Sequence, residues 1–231
     1  MILFLLWGIL FALGAGEKGD SLDLKEKLHF LWVATLIETR AAPLAHQEVV
    51  TSLRERETLG DHLAFLFLER LDTTRKEKEE ILSLLENLFP ESPVLFHAAL
   101  VCAQKEKSFA FTSLALRFAK TKEEKLAAFE ELFALLKEQG FFQEGALILA
   151  WMYREFEDQS TQKTRTLLMP LLPSLSPESF SLPSRLAFAE FLLSLGFLEE
   201  AEKFAATLED AFLLKARLFA RKGDLTALEK L

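Results

Sequence analysis

The stretch SRLAFAEFLLSLGFLEEAEKFAATL, residues 184–208, decides the fold. Its apolar residues recur at spacings of three and four on either side of Gly196, the pattern of two amphipathic helices joined by a tight turn. Ala189 and Ala201 stand on either side of that turn, and small side chains let two helix axes come close. Gly140 in KEQGFFQEGA and Gly223 in ARKGDLTALE stand between two helical stretches in the same way, with Ala216 repeating the small position before Gly223. A helix-turn-helix unit written several times predicts an all-α fold, a superhelical array of antiparallel helix hairpins.

Composition agrees. Of 231 residues, 50% are hydrophobic and 27% charged, ordinary globular material. Leu, Ala and 22 Phe dominate the apolar set while Val, Ile and Tyr are scarce, a bias toward helix over strand. A net charge of -8 argues against nucleic acid as a partner, because phosphate recognition needs a basic face and every Lys/Arg cluster here is mixed with Glu.

Ile2 to Leu13 (ILFLLWGILFAL) is an uncharged apolar run followed by Gly14, Ala15 and Gly16. It is too short for a membrane-spanning helix, which needs about 20 apolar residues. It matches the apolar core and small-residue cleavage zone of a secretory signal peptide, so residues 1–15 are expected to direct export to the periplasm or cell envelope. No Lys or Arg precedes the run, which leaves an uncleaved N-terminal anchor or a cytoplasmic chain as alternatives. Any membrane association is expected through that segment alone.

Helical spacing and punctuation predict helices near 22–39, 43–57, 61–71, 75–89, 93–104, 108–120, 122–139, 142–157, 184–195, 198–207, 209–222 and 224–230. Thr74 with Glu77 and Thr121 with Glu124 fit the capping box. Ser92-Pro93 and Ser176-Pro177 place a capping hydroxyl before a proline at the first helical position. In residues 158–183, Pro170, Pro173, Pro177 and Pro183 forbid one continuous helix, and the segment reads as a degenerate helical pair or packed insertion, with a hinge as the alternative. The expected organisation is a signal segment (1–15), weakly repetitive hairpins (16–89), repeats (90–157), the proline-rich connection (158–183) and further repeats (184–231).

Aligning the turn of QKEKSF on that of KEQGFF places Glu106 over Gly140, 34 residues apart. With that period, LFPESPVLFHAALVCAQKEKSFAFTSLALRF, EEKLAAFEELFALLKEQGFFQEGALILAWMY, residues 184–208 and LLKARLFARKGDLTALEKL together resemble the tetratricopeptide-repeat family. The match departs at Phe133 and Phe111, where small residues are expected, and in its irregular period after Gly140. The resemblance implies a right-handed superhelix whose concave face, lined by the first helix of each pair, binds a peptide or partner protein. On that face it puts Glu130, Glu131, Lys137 and Glu190, which otherwise serve as solvated surface charges.

Reactive chemistry is sparse in the sequence. His29, His46, His62 and His97 lack metal-ligand spacing, and His46 and Glu48, two apart on a helix, do not share a face, so neither a metal nor another cofactor is expected. Cys102 in LVCAQ reads as a small buried hydrophobe, and as the single cysteine it has no disulfide partner within the chain. Glu79-Glu80, Glu130-Glu131 and Glu199-Glu200 diverge on their helices and read as surface charges. The apolar helix near 142–157, with Trp151, Met152 and Tyr153, reads as a buried repeat helix. The expected function is a non-catalytic protein-interaction scaffold or adaptor of the bacterial envelope. Alternatives are a structural subunit of a secretion or assembly machine and an α-helical glycan-active enzyme with two converging acids. The apolar Leu228 and Leu231 in the last helix add an expectation of self-association through the C-terminal helix.

Overall fold

A computed structural model describes residues 24–209 and 211–230. The apolar run 2–13 and Leu231 lie outside these residues. Among the described residues the chain is all-helical, with no strand. It divides into two compact units, residues 1–119 and 120–231.

The first unit holds α1 (Leu24–Glu38), α2 (Ala42–Arg54), α3 (Gly60–Arg70), α4 (Arg75–Leu88), α5 (Val94–Glu106) and α6 (Phe109–Phe118). Each of α1 to α3 packs on the next helix and on the next but one, and α5 pairs closely with α6. Their apolar faces meet in a core that includes Ile37, Leu53, Leu63, Phe67, Ile81, Leu85 and Phe111, all buried. The second unit holds α7 (Lys122–Glu138), α8 (Phe142–Glu155), α9 (Glu157–Leu168), α10 (Leu182–Leu195), α11 (Leu198–Ala206), α12 (Phe212–Lys222) and α13 (Leu225–Glu229). Here α8 packs on α7, α9 and α10, and α10 packs on α11 and α12. Phe180, Phe188, Phe191 and Phe204 stack at the centre of its core, with Phe188 5.1 Å from both Phe180 and Phe204.

Six helices end in the same turn. Arg40, Arg56, Lys107, Gly140, Gly196 and Gly223 each adopt a left-handed conformation. In each case the following residue's N–H bonds back five positions, as Phe197 does to Leu192 (3.0 Å) and Glu57 to Ser52 (3.0 Å). This turn satisfies carbonyls that the helix end leaves free and reverses the chain. The left-handed residue in QKEKSF is Lys107, one position beyond the Glu106 that sequence alignment sets over Gly140. Glycine adopts this conformation without penalty; Arg40, Arg56 and Lys107 adopt it with strain and place their cations at helix C-termini, where the dipole favours positive charge.

Both capping boxes form: the Thr74 and Thr121 hydroxyls accept from the N–H of Glu77 and Glu124, whose carboxylates accept from the threonine N–H groups. The two Ser-Pro pairs behave differently from expectation. The Ser92 hydroxyl accepts from Val94 N–H but donates to Asp61, and Pro93 is the residue that precedes α5. Ser176 opens a short 3₁₀ turn, Pro177–Ser179, and its hydroxyl donates to Glu178 instead of capping.

Residues 158–183 form most of α9, a turn at Met169-Pro170, and the 3₁₀ turns Leu172–Ser174 and Pro177–Ser179. Leu168, Leu171 and Phe180 bury into the core of the second unit and anchor the segment there. The small-residue departures have a structural answer. Phe133 fills the α7 position where a small side chain is expected, and the room comes from Gly145 on α8, whose added Cβ would stand 3.5 Å from the Phe133 ring. Phe111 is likewise buried in a unit where α5 offers Ala98, Ala99, Cys102 and Ala103.

Candidate functional site: a trough beside the proline-rich segment

Pro170 ends α9, because a proline there supplies no N–H to continue the helix, and Leu168 and Leu171 anchor the turn from below. Met169, between those anchors, is thrown outward and is 60% exposed. Two open cavities share it. One, of about 490 Å³, is lined by Met169, Leu172, Pro173, Leu175, Pro177, Phe197, Phe204, Glu200 and Lys203. The other, of about 420 Å³, runs along α9 past Gln162, Arg165, Thr166, Met169 and Pro170. They form one trough with an apolar floor and a rim of both charge signs. The Arg165 guanidinium lies 5.6 Å from the centre of the Phe197 ring, which fixes a cation at one wall.

The irregular segment is held in place. The Arg185 Nε donates to the Phe180 carbonyl (2.9 Å), and Gln143 on α8 donates to the Ser179 carbonyl. Phe180 stacks on Phe188 below. A trough built on prolines and a pinned backbone loses little entropy when a ligand orders against it.

The residues expected to line a concave face lie on two helices. Glu130, Glu131 and Lys137 are on α7, and Glu190 is exposed on α10, which packs on α8. Glu130 pairs with Lys163 on α9, tying those helices together. Ala189 and Ala201 are fully buried between α10 and its neighbours, Gly196 and Gly223 close their turns, and Ala216 is half-buried on α12. Trp151 is an exception to the expected burial of α8: Met152 is buried, whereas Trp151 is exposed and rests 4.3 Å from Phe129.

Polar clusters in the first unit were hidden from sequence reading by long separations. His29 Nδ1 faces the Glu57 carboxylate (2.8 and 3.0 Å) and its Nε2 faces Glu48 (3.1 Å). Burial alone would lower the His29 pKa, but hydrogen bonds and charge from Glu48 and Glu57 outweigh it and raise the pKa above 6.5. His29 therefore bridges α1 to α2 and to the turn before α3. Its two nitrogens point at different carboxylates, which leaves neither free for a ligand. His46 is 3.6 Å from Glu80 across helices, not engaged with Glu48.

Asp61, at the start of α3, accepts from the Ser92 hydroxyl (2.5 Å) and from His62 Nδ1 (2.7 Å). The order is Ser-Asp-His, with the carboxylate in the middle, so the serine proton points to Asp61 and not to a histidine base as nucleophilic catalysis requires. Hydrogen bonding to Asp61 raises the His62 pKa against the effect of burial, and the Asp61 pKa is lowered because His62 and Ser92 outweigh desolvation. Lys78 is fully buried and pairs with Glu106, with Asp72 3.7 Å away. Lys105 donates to the carbonyls of Leu68, Glu69 and Leu71 at the end of α3 (2.8 to 2.9 Å). Burial pushes the Cys102 thiol up to about 12, so it stays protonated and inert. Among the described residues, the carboxylates with shifted pKa, Asp61, Glu77 and Glu178, all move down, opposite to the direction a general acid needs. No group of three His, Cys, Asp or Glu that would hold a metal occurs among the described residues, and no helix among them is long and apolar enough to cross a membrane.

Comparison with protein-family models, with curated proteins and with solved structures finds no match.

Proposed function

We propose that this chain is a non-catalytic scaffold or adaptor, a tetratricopeptide-like array of helix hairpins that holds a peptide segment of a partner protein in the trough around Met169. The single observation that carries the reading is the trough itself: exposed Met169 beside a floor of half-buried Leu172, Leu175 and Phe197, with Arg165, Glu200 and Lys203 around it. Peptide grooves take this form, apolar for affinity with a few charges for register. Pairwise packing of neighbouring helices, α1 on α2, α5 on α6, α7 on α8 and α10 on α11, with the same left-handed turn closing six of the described helices, supports the array. The apolar run 2–13 with its small-residue boundary supports placement in the bacterial envelope.

A second reading, a structural subunit buried permanently in an envelope machine, is favoured by Leu28 and Trp32, one turn apart and both exposed on α1. The test is purification of a tagged copy from the native host after crosslinking, beside a Met169→Glu variant. The scaffold reading expects one or two envelope proteins in stoichiometric amount with the original chain and their loss with Met169→Glu. Recovery of the chain alone would overturn it; a partner retained by Met169→Glu would move the contact to another surface and favour the subunit reading.

A further inference from the structure

On the second unit, away from the Met169 trough, a concave and a convex apolar feature adjoin. The concave one is a groove of about 550 Å³ between the start of α10 and the connection from α11 to α12, lined by Leu182, Pro183, Leu186, Leu208, Glu209 and Ala211, with Thr207. Leu182 is 68% exposed although it lines the groove. The convex feature follows Ala211 directly: Phe212 and Leu213, the first residues of α12, are 55% and 76% exposed. Large apolar side chains held this far into solvent beside an apolar depression mark a surface that is covered.

The charges single out the cover. Glu209 stands exposed at the groove and makes no ion pair among the described residues. Arg217, one helical turn beyond Leu213 and therefore on the same face of α12, makes none among the described residues either. One short surface thus holds a groove with an unpaired acid and a ridge with an unpaired base. Each half complements the other, but a ridge that begins at the residue after the groove wall cannot fold back into its own groove. A two-fold contact resolves this, because it brings residue i of one copy to residue j of the other and repeats the contact in reverse.

We propose that a second copy of this chain covers this face. Phe212 and Leu213 of each copy enter the groove beside Leu182 and Leu186 of the other, and each Arg217 meets the other copy's Glu209. The inference does not rest on the partner-binding reading, since different residues line the trough at Met169.

The test is sedimentation velocity on the purified full chain over the micromolar range, with circular dichroism to establish that each variant keeps its helix. The original chain is expected to sediment as a dimer and Leu213→Glu as a monomer of unchanged helicity. Arg217→Glu and Glu209→Arg are each expected to weaken the dimer about tenfold by setting like charges against each other, and the two together to recover it. A monomer at every concentration overturns the proposal. So does a dimer indifferent to Leu213→Glu, which would place association elsewhere, for example in residues 2–13. A double variant no tighter than the single ones overturns the pairing of Arg217 with Glu209.

Discussion

At Gly196 an added Cβ would meet no atom within 4 Å, yet the backbone φ of 83° forbids an easy substitution. Gly196→Ala is therefore expected to cost about 1–2 kcal/mol from backbone strain alone, seen as a lower urea midpoint with unchanged slope. The converse applies at Arg56, which holds φ of 54° in the same kind of turn: Arg56→Gly is expected to raise stability by up to about 1 kcal/mol. A loss of stability there would mean that the cation at the helix end outweighs the strain. The His29 bridge adds a pH dependence of known sign. Its folded pKa is raised above 6.5, so its stabilisation is complete below the unfolded value and is lost as pH rises through the folded one. Thermal melts should show the chain losing stability from mildly acidic to mildly alkaline pH, with a shallower decline in His29→Gln; His62, raised by Asp61, contributes in the same direction. The Lys78–Glu106 pair should be asymmetric. Glu106→Gln leaves the buried cation with only the fully exposed Asp72 at 3.7 Å and is expected to cost about 3 kcal/mol, whereas Lys78→Met exchanges the cation for an apolar side chain and is expected to cost far less.

Helix packing makes its own prediction at Gly145. An alanine Cβ there would sit in ordinary contact with Phe133 at 3.5 Å, and glycine inside a helix is entropically costly, so Gly145→Ala is expected to stabilise by about 0.5–1 kcal/mol in a denaturant titration. Destabilisation would show that α7 and α8 pack too tightly for the account of Phe133 given above. This exchange of large and small residues explains part of what the sequence conceals. A search for small residues at fixed positions finds Ala189 and Ala201 but passes over a pair in which the large residue is on one helix and the glycine on the other. The same limit applies to turns. Gly140, Gly196 and Gly223 announce themselves, while Arg40, Arg56 and Lys107 do the same work with residues that normally occur inside helices. Helix α9 is hidden because its polar sequence, EDQSTQKTRT, runs into a proline cluster that reads as irregular. The capping boxes at Thr74 and Thr121 were fully legible, since their chemistry is local. The His29, Asp61 and Lys78 clusters were not, because each joins residues about thirty positions apart that only the packing of helices brings together.

For the molecule as a whole, the two halves are stabilised differently. The first unit carries most of the buried polar and charged groups, among them Asp61 and Lys78; the second relies on an aromatic core around Phe188. The trough was not readable from sequence, because Met169 looks like any buried apolar residue in LLMPLL until Pro170 ends the helix and turns it outward. That outward methionine is also the most direct probe of function. A photo-crosslinking amino acid placed at position 169 in the native host should give one dominant adduct to a different protein, absent when the same probe stands at exposed Glu229. No adduct at 169, or the same adducts from both positions, would contradict the claim that this trough holds a partner.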